Sequence, residues 1–143
     1  MDDIVELTDQ ECHELLRADV VGRVAFVTPQ GPRIVPVNYV VSDAGLELRT
    51  TPYSELATYA PESPVAFEID HLDREQGRGW SVVVHGDCER VLDDAAAAFE
   101  EPGKDPGPWA GGRRPLWLRV VVAEITGRRV GGEHWPHPVV PRL

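Results

Sequence analysis

Cysteine is scarce, and the sequence lacks the patterns that would give it a framework role. Cys12 and Cys88 are the only two in 143 residues, and they form no CxxC pair. That excludes a disulfide scaffold, reads as a reduced, cytoplasmic compartment, and casts both thiols as small buried hydrophobes. Positive charge is in short supply too. Fourteen Lys and Arg face 24 Asp and Glu, for a net charge of -10. Such a surface repels phosphate backbones and anionic membranes, so nucleic acid and lipid bilayers are poor partners. No apolar run is long enough to span a membrane. The opening Met1-Asp2-Asp3-Ile4-Val5-Glu6 is acidic where a secretion signal is basic and then greasy. There is no internal repeat and no linker, so residues 1–143 read as one domain.

Local chemistry supplies the elements. Thr8-Asp9-Gln10-Glu11 is a capping box that opens a short helix carrying Leu15 and Leu16. β-branched residues then mark strands at Val20–Thr28, Arg33–Ser42 and Leu46–Thr51, joined by turn residues at 29–32 and 43–45. Tyr53–Tyr59 suits two helical turns. Further strands follow at Val65–Asp70, Trp80–Leu92 and Leu116–Thr126, the Val82-Val83-Val84 run reading as buried on both faces. His71–Gly79 and Pro102–Pro115 read as loops, Ala95–Glu101 as a helix, and residues 130–143 as an irregular tail. The fold class is therefore mainly β with small helices. Short, closely spaced strands favour a closed or partly closed barrel, because open antiparallel edges need covering. Pro36 has no N–H for a ladder, so its strand belongs at an edge or beside a bulge, where a ligand can approach the backbone.

Several segments in order resemble the pyridoxamine 5′-phosphate oxidase-like family of flavin-binding split barrels, in its short actinobacterial branch. They are Gly22-Arg23-Val24-Ala25-Phe26, Pro36-Val37-Asn38-Tyr39, Leu48-Arg49-Thr50, Val65–Asp70, Gly79-Trp80-Ser81-Val82-Val83-Val84-His85-Gly86 and Ile125–Arg129. The Gly-Trp-Ser-Val-Val-Val block after the Phe-Glu-Ile-Asp strand is the most specific of them. The resemblance spans about Leu7 to Arg129 and implies a six-stranded Greek-key split barrel. It also implies a homodimer that holds FMN in a cleft lined by both subunits and acts on a small-molecule substrate.

By that resemblance, Arg49, Thr50 and Ser54 hold the flavin phosphate, which needs converging donors. Pro36, Val37, Asn38 and Tyr39, with Trp80, Ser81 and Val82, flank the ring, and Arg128 reaches the flavin from the other subunit. One departure stands out. Family members that hold FMN tightly usually follow the serine with a lysine or arginine, and here the run is Tyr53-Ser54-Glu55-Leu56. An anion beside a phosphate turns a contact of about 1–3 kcal/mol from attractive to repulsive.

Each residue also has a plain structural role open to it. Arg49 can be a solvated face residue, Trp80 a core or dimer-packing aromatic, and Asn38 and Tyr39 partners for strand-edge groups. Arg113, Arg114, Arg128 and Arg129 suit surface ion pairs. Ser81 and His85 lack a third triad member, and no Gly-x-Ser-x-Gly elbow occurs. His134-Trp135-Pro136-His137 lacks the thiolate or carboxylate company of a metal site, so no metal is expected.

Three functional readings follow. The first is an FMN-dependent oxidoreductase, in which the cofactor carries the chemistry. The second is a non-catalytic dimeric barrel that binds a flavin or other planar ligand weakly, or has lost the site, which Glu55 favours. The third is a reductase using the deazaflavin F420, whose anionic tail wants a basic groove that this acidic chain does not display. Flavin absorbance in the purified protein separates the first from the second.

Overall fold

The computed structural model describes residues 4–92, 107, 109 and 114–131. Its elements are β1 (Val5–Glu6), α1 (Asp9–Arg17), β2 (Val21–Thr28), β3 (Gly31–Ser42), β4 (Gly45–Thr50), α2 (Glu55–Tyr59), β5 (Ser63–Asp73), β6 (Arg78–Arg90) and β7 (Leu116–Val130). The helix expected at Ala95–Glu101 and the tail beyond Gly131, with its two histidines, lie outside the described residues.

All strands join one antiparallel sheet in the order β1-β7-β4-β3-β2-β5-β6, and β6 pairs back onto β7. Six strands thus close a split barrel, and the two-residue β1 adds a seventh at the far end of β7, where Val5 and Glu6 face Arg129 and Arg128. The path is a Greek key: after the β2-β3-β4 meander, the chain crosses through α2 to β5 on the opposite side of β2.

Alternation decides what fills the barrel. Val24, Phe26, Leu46, Leu48, Phe67, Ile69, Val82, Val84, Leu118 and Val120 point inward and are buried. Each such side chain contributes about 1.5–3 kcal/mol. Helix α1 adds Cys12, Leu15 and Leu16 to the same core. Its capping box forms as the sequence specifies: Glu11 N donates to Thr8 Oγ1 at 3.2 Å and Thr8 N donates to Glu11 Oε1 at 3.1 Å. Both cysteines are buried and unbridged, and burial pushes the Cys88 thiol up to about 12, with Glu89 adding to the rise.

Some boundaries differ from the sequence reading, for a common reason. Strands β5 and β6 run on to Asp73 and from Arg78, through the stretch expected as a loop. Cross-strand pairs carry the ladder past the apolar run: His71 stacks on Trp80, and Arg78 meets Asp73 at 3.3 Å. Strand β7 likewise reaches Val130 through its pairing with Gly79. The valine run of β6 keeps its alternation, because Val83 turns to the outer face while Val82 and Val84 enter the core. Closure of β6 on β7 uses a bulge at His85/Gly86. Only glycine fits there, since a Cβ on Gly86 would lie 1.7 Å from the Val121 carbonyl oxygen.

The barrel splits between β3 and β4. Their pairing ends at Tyr39↔Leu48, and Gly31–Asn38 then pair with β2 alone while Arg49 and Thr50 pair with β7 alone. Pro36 lies in that open stretch, where a missing N–H costs the ladder nothing.

Candidate functional site

A cavity of about 290 Å³ occupies the split. Pro36, Val37 and Asn38 form one lip and Arg49 and Thr50 the other, with Ser54 and Glu55 beyond and Phe26, Val35, Leu56 and Arg114 completing the wall. The sequence-selected Pro36, Val37, Asn38, Arg49, Thr50 and Ser54 therefore come together at one place.

The lips are chemically distinct. Arg49 Nε donates to the Arg114 carbonyl at 3.0 Å, and its guanidinium sits 5.3 Å over the Trp117 ring. That contact orients a cation on an otherwise acidic molecule. Arg114 brings a second guanidinium, whose Nε is buried without a hydrogen-bond partner. A buried unpaired donor is costly and marks a place where an acceptor belongs. Thr50 Oγ1 and Ser54 Oγ lie 2.9 Å apart, Ser54 Oγ donates to the Thr51 carbonyl at 2.9 Å, and it accepts from Ala57 N at 3.0 Å as the cap of α2. Ser54 is thus largely committed to its helix. Thr50 gains a hydroxyl proton for the cavity only when Ser54 turns its own proton toward Thr50.

On the β3 side, Asn38 Nδ2 donates to the Val20 carbonyl at 3.3 Å, and Asn38 Oδ1 accepts from Trp109 N at 2.8 Å. Glu55, the first residue of α2, lines the cavity and meets Arg33 Nε at 3.6 Å, so the out-of-pattern anion carries its own counter-charge.

The remaining selected residues lie elsewhere. Tyr39 and Val82 are core side chains. The Tyr39 hydroxyl donates to the Leu16 carbonyl and its ring meets Phe67 edge-on at 4.7 Å, while Val82 is fully buried. Burial, reinforced by Asp19, raises the Tyr39 phenol above its ordinary range. Trp80, Ser81 and Arg128 line a second cavity of about 600 Å³ that shares no wall residue with the first. Here Asp70, Ser81 and Arg128 sit side by side across β5, β6 and β7, and Arg23 on β2 reaches Asp70 at 3.4 Å and Glu68 at 3.9 Å. Burial raises the Glu68 carboxyl, Asp70 raises it further, and Arg23 and Arg128 pull it down.

A third hollow of about 510 Å³ runs over the outer barrel face, lined by Ala25, Val27, Pro32, Pro64, Ala66 and Ala123, with His85 Nδ1 3.8 Å from Glu124. Among the described residues no three metal-ligating side chains cluster, and no helix is long and apolar enough to cross a membrane.

Sequence reading missed Trp109 and treated Arg114 as a surface charge. Both follow a Pro/Gly-rich stretch without periodicity, which leaves no pattern to assign a facing direction. The outer carboxyl pair Glu68 and Asp70 was legible in principle, as an i, i+2 pair on a strand.

Known proteins share this architecture. A FAD binding protein from Mycobacterium smegmatis is 31% identical, with a TM-score of 0.68 over 89% of this chain and 98% of that one. A FAD-binding protein from Mesorhizobium loti matches at a TM-score of 0.70 over 92% of this chain and 100% of that one, with 22% identity, a likeness of fold alone. An uncharacterized protein of Mycobacterium tuberculosis is 36% identical over 133 residues, 90% of this chain and 86% of its own. The profile of the pyridoxamine 5′-phosphate oxidase family matches residues 8–129. With that span and these relatives, the chain belongs to the pyridoxamine 5′-phosphate oxidase family.

Proposed function

We propose that the protein is a flavin-dependent oxidoreductase that works as a homodimer, with the flavin phosphate in the split between β3 and β4. The observation that carries this reading is that Arg49 and Arg114, two cations of an acidic chain, line one cavity with apolar walls. Two guanidiniums and the Thr50 hydroxyl suit a phosphate, and Val35, Val37 and Phe26 suit the carbon skeleton next to it. The residues present fit the phosphate end of FMN or FAD. The M. smegmatis FAD binding protein, 31% identical to this chain, supports a flavin as the ligand.

Incompleteness of the site supports the dimer. About 290 Å³ is the low end for a cofactor site, and Trp80, Ser81 and Arg128 are placed in a separate cavity. In this reading a second copy packs on the apolar outer face and supplies its Trp80 and Arg128 to the ring end of the flavin. That face exposes Val27 at 70%, and burying such residues across a two-fold axis is the ordinary solution for a small barrel. When bound, the flavin supplies hydride or electron transfer. The chain's residues fix its phosphate, exclude water from the split and set charge at the second cavity through Glu68, Asp70 and Arg128.

Glu55 at the rim favours a second reading, a barrel that binds the flavin without turnover. Absorbance spectra of purified protein, followed by anaerobic titration with NADH or NADPH, test both. Flavin bands that bleach support the oxidoreductase, bands that persist support the binding barrel, and failure to take up any added flavin refutes both.

A further inference from the structure

Arg33 on β3 and Glu55 on α2 meet at the edge of the cavity in the split. Strand β3 alternates there: Pro32, Ile34 and Pro36 are exposed, and Arg33 shares the other side with Val35 and Val37. The cross-strand partner of Arg33 on β2 is Phe26. Phe26, Val35 and Val37 all line the cavity, and so does Glu55, whose Oε1 lies 3.6 Å from Arg33 Nε. Arg33 therefore stands one contact behind the cavity wall, on the cavity-facing side of its strand. Its other bond is local and long, from Nη1 to the Pro32 carbonyl at 3.4 Å. The two side chains are 37% and 55% exposed. An ion pair that solvent reaches this well is weak, and its members separate at little cost.

We propose that Arg33 is a further phosphate-binding residue, and that Glu55 is the internal anion it exchanges for the flavin phosphate. This rests on the flavin reading above and goes on to give the out-of-pattern Glu55 a role. Without ligand, Glu55 offsets a cation that stands near two others, Arg49 and Arg114, and like charges so gathered repel. A phosphate monoester carries nearly twice the charge of a carboxylate and offers three acceptor oxygens. It therefore outcompetes Glu55 for the planar fork of the guanidinium, which bonds phosphate bidentately. Breaking the ion pair is the cost of the exchange, and only a ligand that brings a phosphate recovers it. Riboflavin leaves the pair closed. The pair thus serves as a selectivity device for phosphate-bearing flavins.

The test is fluorescence titration with FMN and with riboflavin of the native chain, Arg33→Ala, Glu55→Gln and the double variant. Glu55→Gln should tighten FMN about threefold, the strength of an exposed ion pair that no longer has to open. Arg33→Ala should weaken FMN about tenfold in the Glu55→Gln background, where it removes a phosphate contact alone. In the native background the same change should weaken FMN only about threefold, because the ion pair disappears together with the contact. Riboflavin affinity should stay within about twofold throughout, which also reports that each variant is folded. Equal weakening by Arg33→Ala in the two backgrounds overturns the exchange and makes Arg33 a distant counter-charge, with the flavin site intact. No weakening in the Glu55→Gln background overturns the phosphate contact. Failure of all four proteins to bind FMN overturns the flavin site and the exchange with it.

Discussion

Arg49→Ala separates a phosphate contact from general damage to the barrel. Arg49 closes β4 opposite Trp117, donates from Nε to the Arg114 carbonyl, and lies over the Trp117 ring. Truncation removes contacts with different readouts. Loss of the carbonyl hydrogen bond costs about 1 kcal/mol, and loss of the cation–π contact about 0.5–1 kcal/mol more. Together these lower the melting temperature of a chain this size by about 5 °C, with or without flavin. Loss of a charge-assisted contact to phosphate weakens FMN or FAD by about 1.5–3 kcal/mol, roughly ten- to 150-fold. Riboflavin has no phosphate, so its affinity reports only the structural damage and should change about twofold or less. Fluorescence titration of all three ligands, with melting curves of the unliganded proteins, measures each part. Arg49→Lys adds a gradation, since it keeps the charge but loses the planar fork and should recover only part of the affinity. If riboflavin and FMN weaken by the same factor, Arg49 is a structural residue and the phosphate lies elsewhere.

The remaining predictions probe the rim, the second cavity and the outer face. Glu55→Lys should tighten FMN by about 1 kcal/mol, roughly fivefold, because the side chain is about half exposed and already offset by Arg33, and the gain should shrink in high salt; an unchanged dissociation constant would place the phosphate away from α2. Glu68 has a raised carboxyl, from burial first and Asp70 second, so the folded state holds its proton more tightly than the unfolded chain. Its contribution therefore turns unfavourable as pH rises through and above the ordinary value of 4.5. Glu68→Gln should then raise the melting temperature at pH 7 and lose that advantage below pH 4, and a gain that persists in acid would refute the assignment. Val27→Asp should convert the proposed dimer to a monomer in light scattering with little change in the fold, since Val27 is exposed on the barrel's outer face; an unaltered dimer would move the interface off this face.

Much of the fold was legible because alternation is a strong signal in strands that are half exposed. In β2, Gly22, Val24, Phe26 and Thr28 face in while Arg23, Ala25 and Val27 face out, as a period of two requires. The strand ends were less legible. His71 to Asp73 and Arg78 belong to the β5–β6 hairpin through an aromatic stack and an ion pair between residues remote from the apolar run. Such pairs are properties of two strands in register, and a single strand's sequence does not display them. Val82-Val83-Val84 misled in the opposite sense. Three valines suggest burial on both faces, yet Val83 belongs to the outer face, where an apolar side chain is consistent with a covered interface.

Pro36 shows how one residue ties fold to site. It was legible as a ladder-breaker, and the structure puts the divergence of β3 from β4 beside it, leaving room for a cavity between Asn38 and Arg49. What the proline does not specify is the far wall. Arg114 and Trp109 arrive from a Pro/Gly-rich stretch and are fixed by hydrogen bonds to Arg49 and Asn38, one on each lip. Part of the site's polarity therefore comes from residues that carry no pattern of their own, held by residues that do.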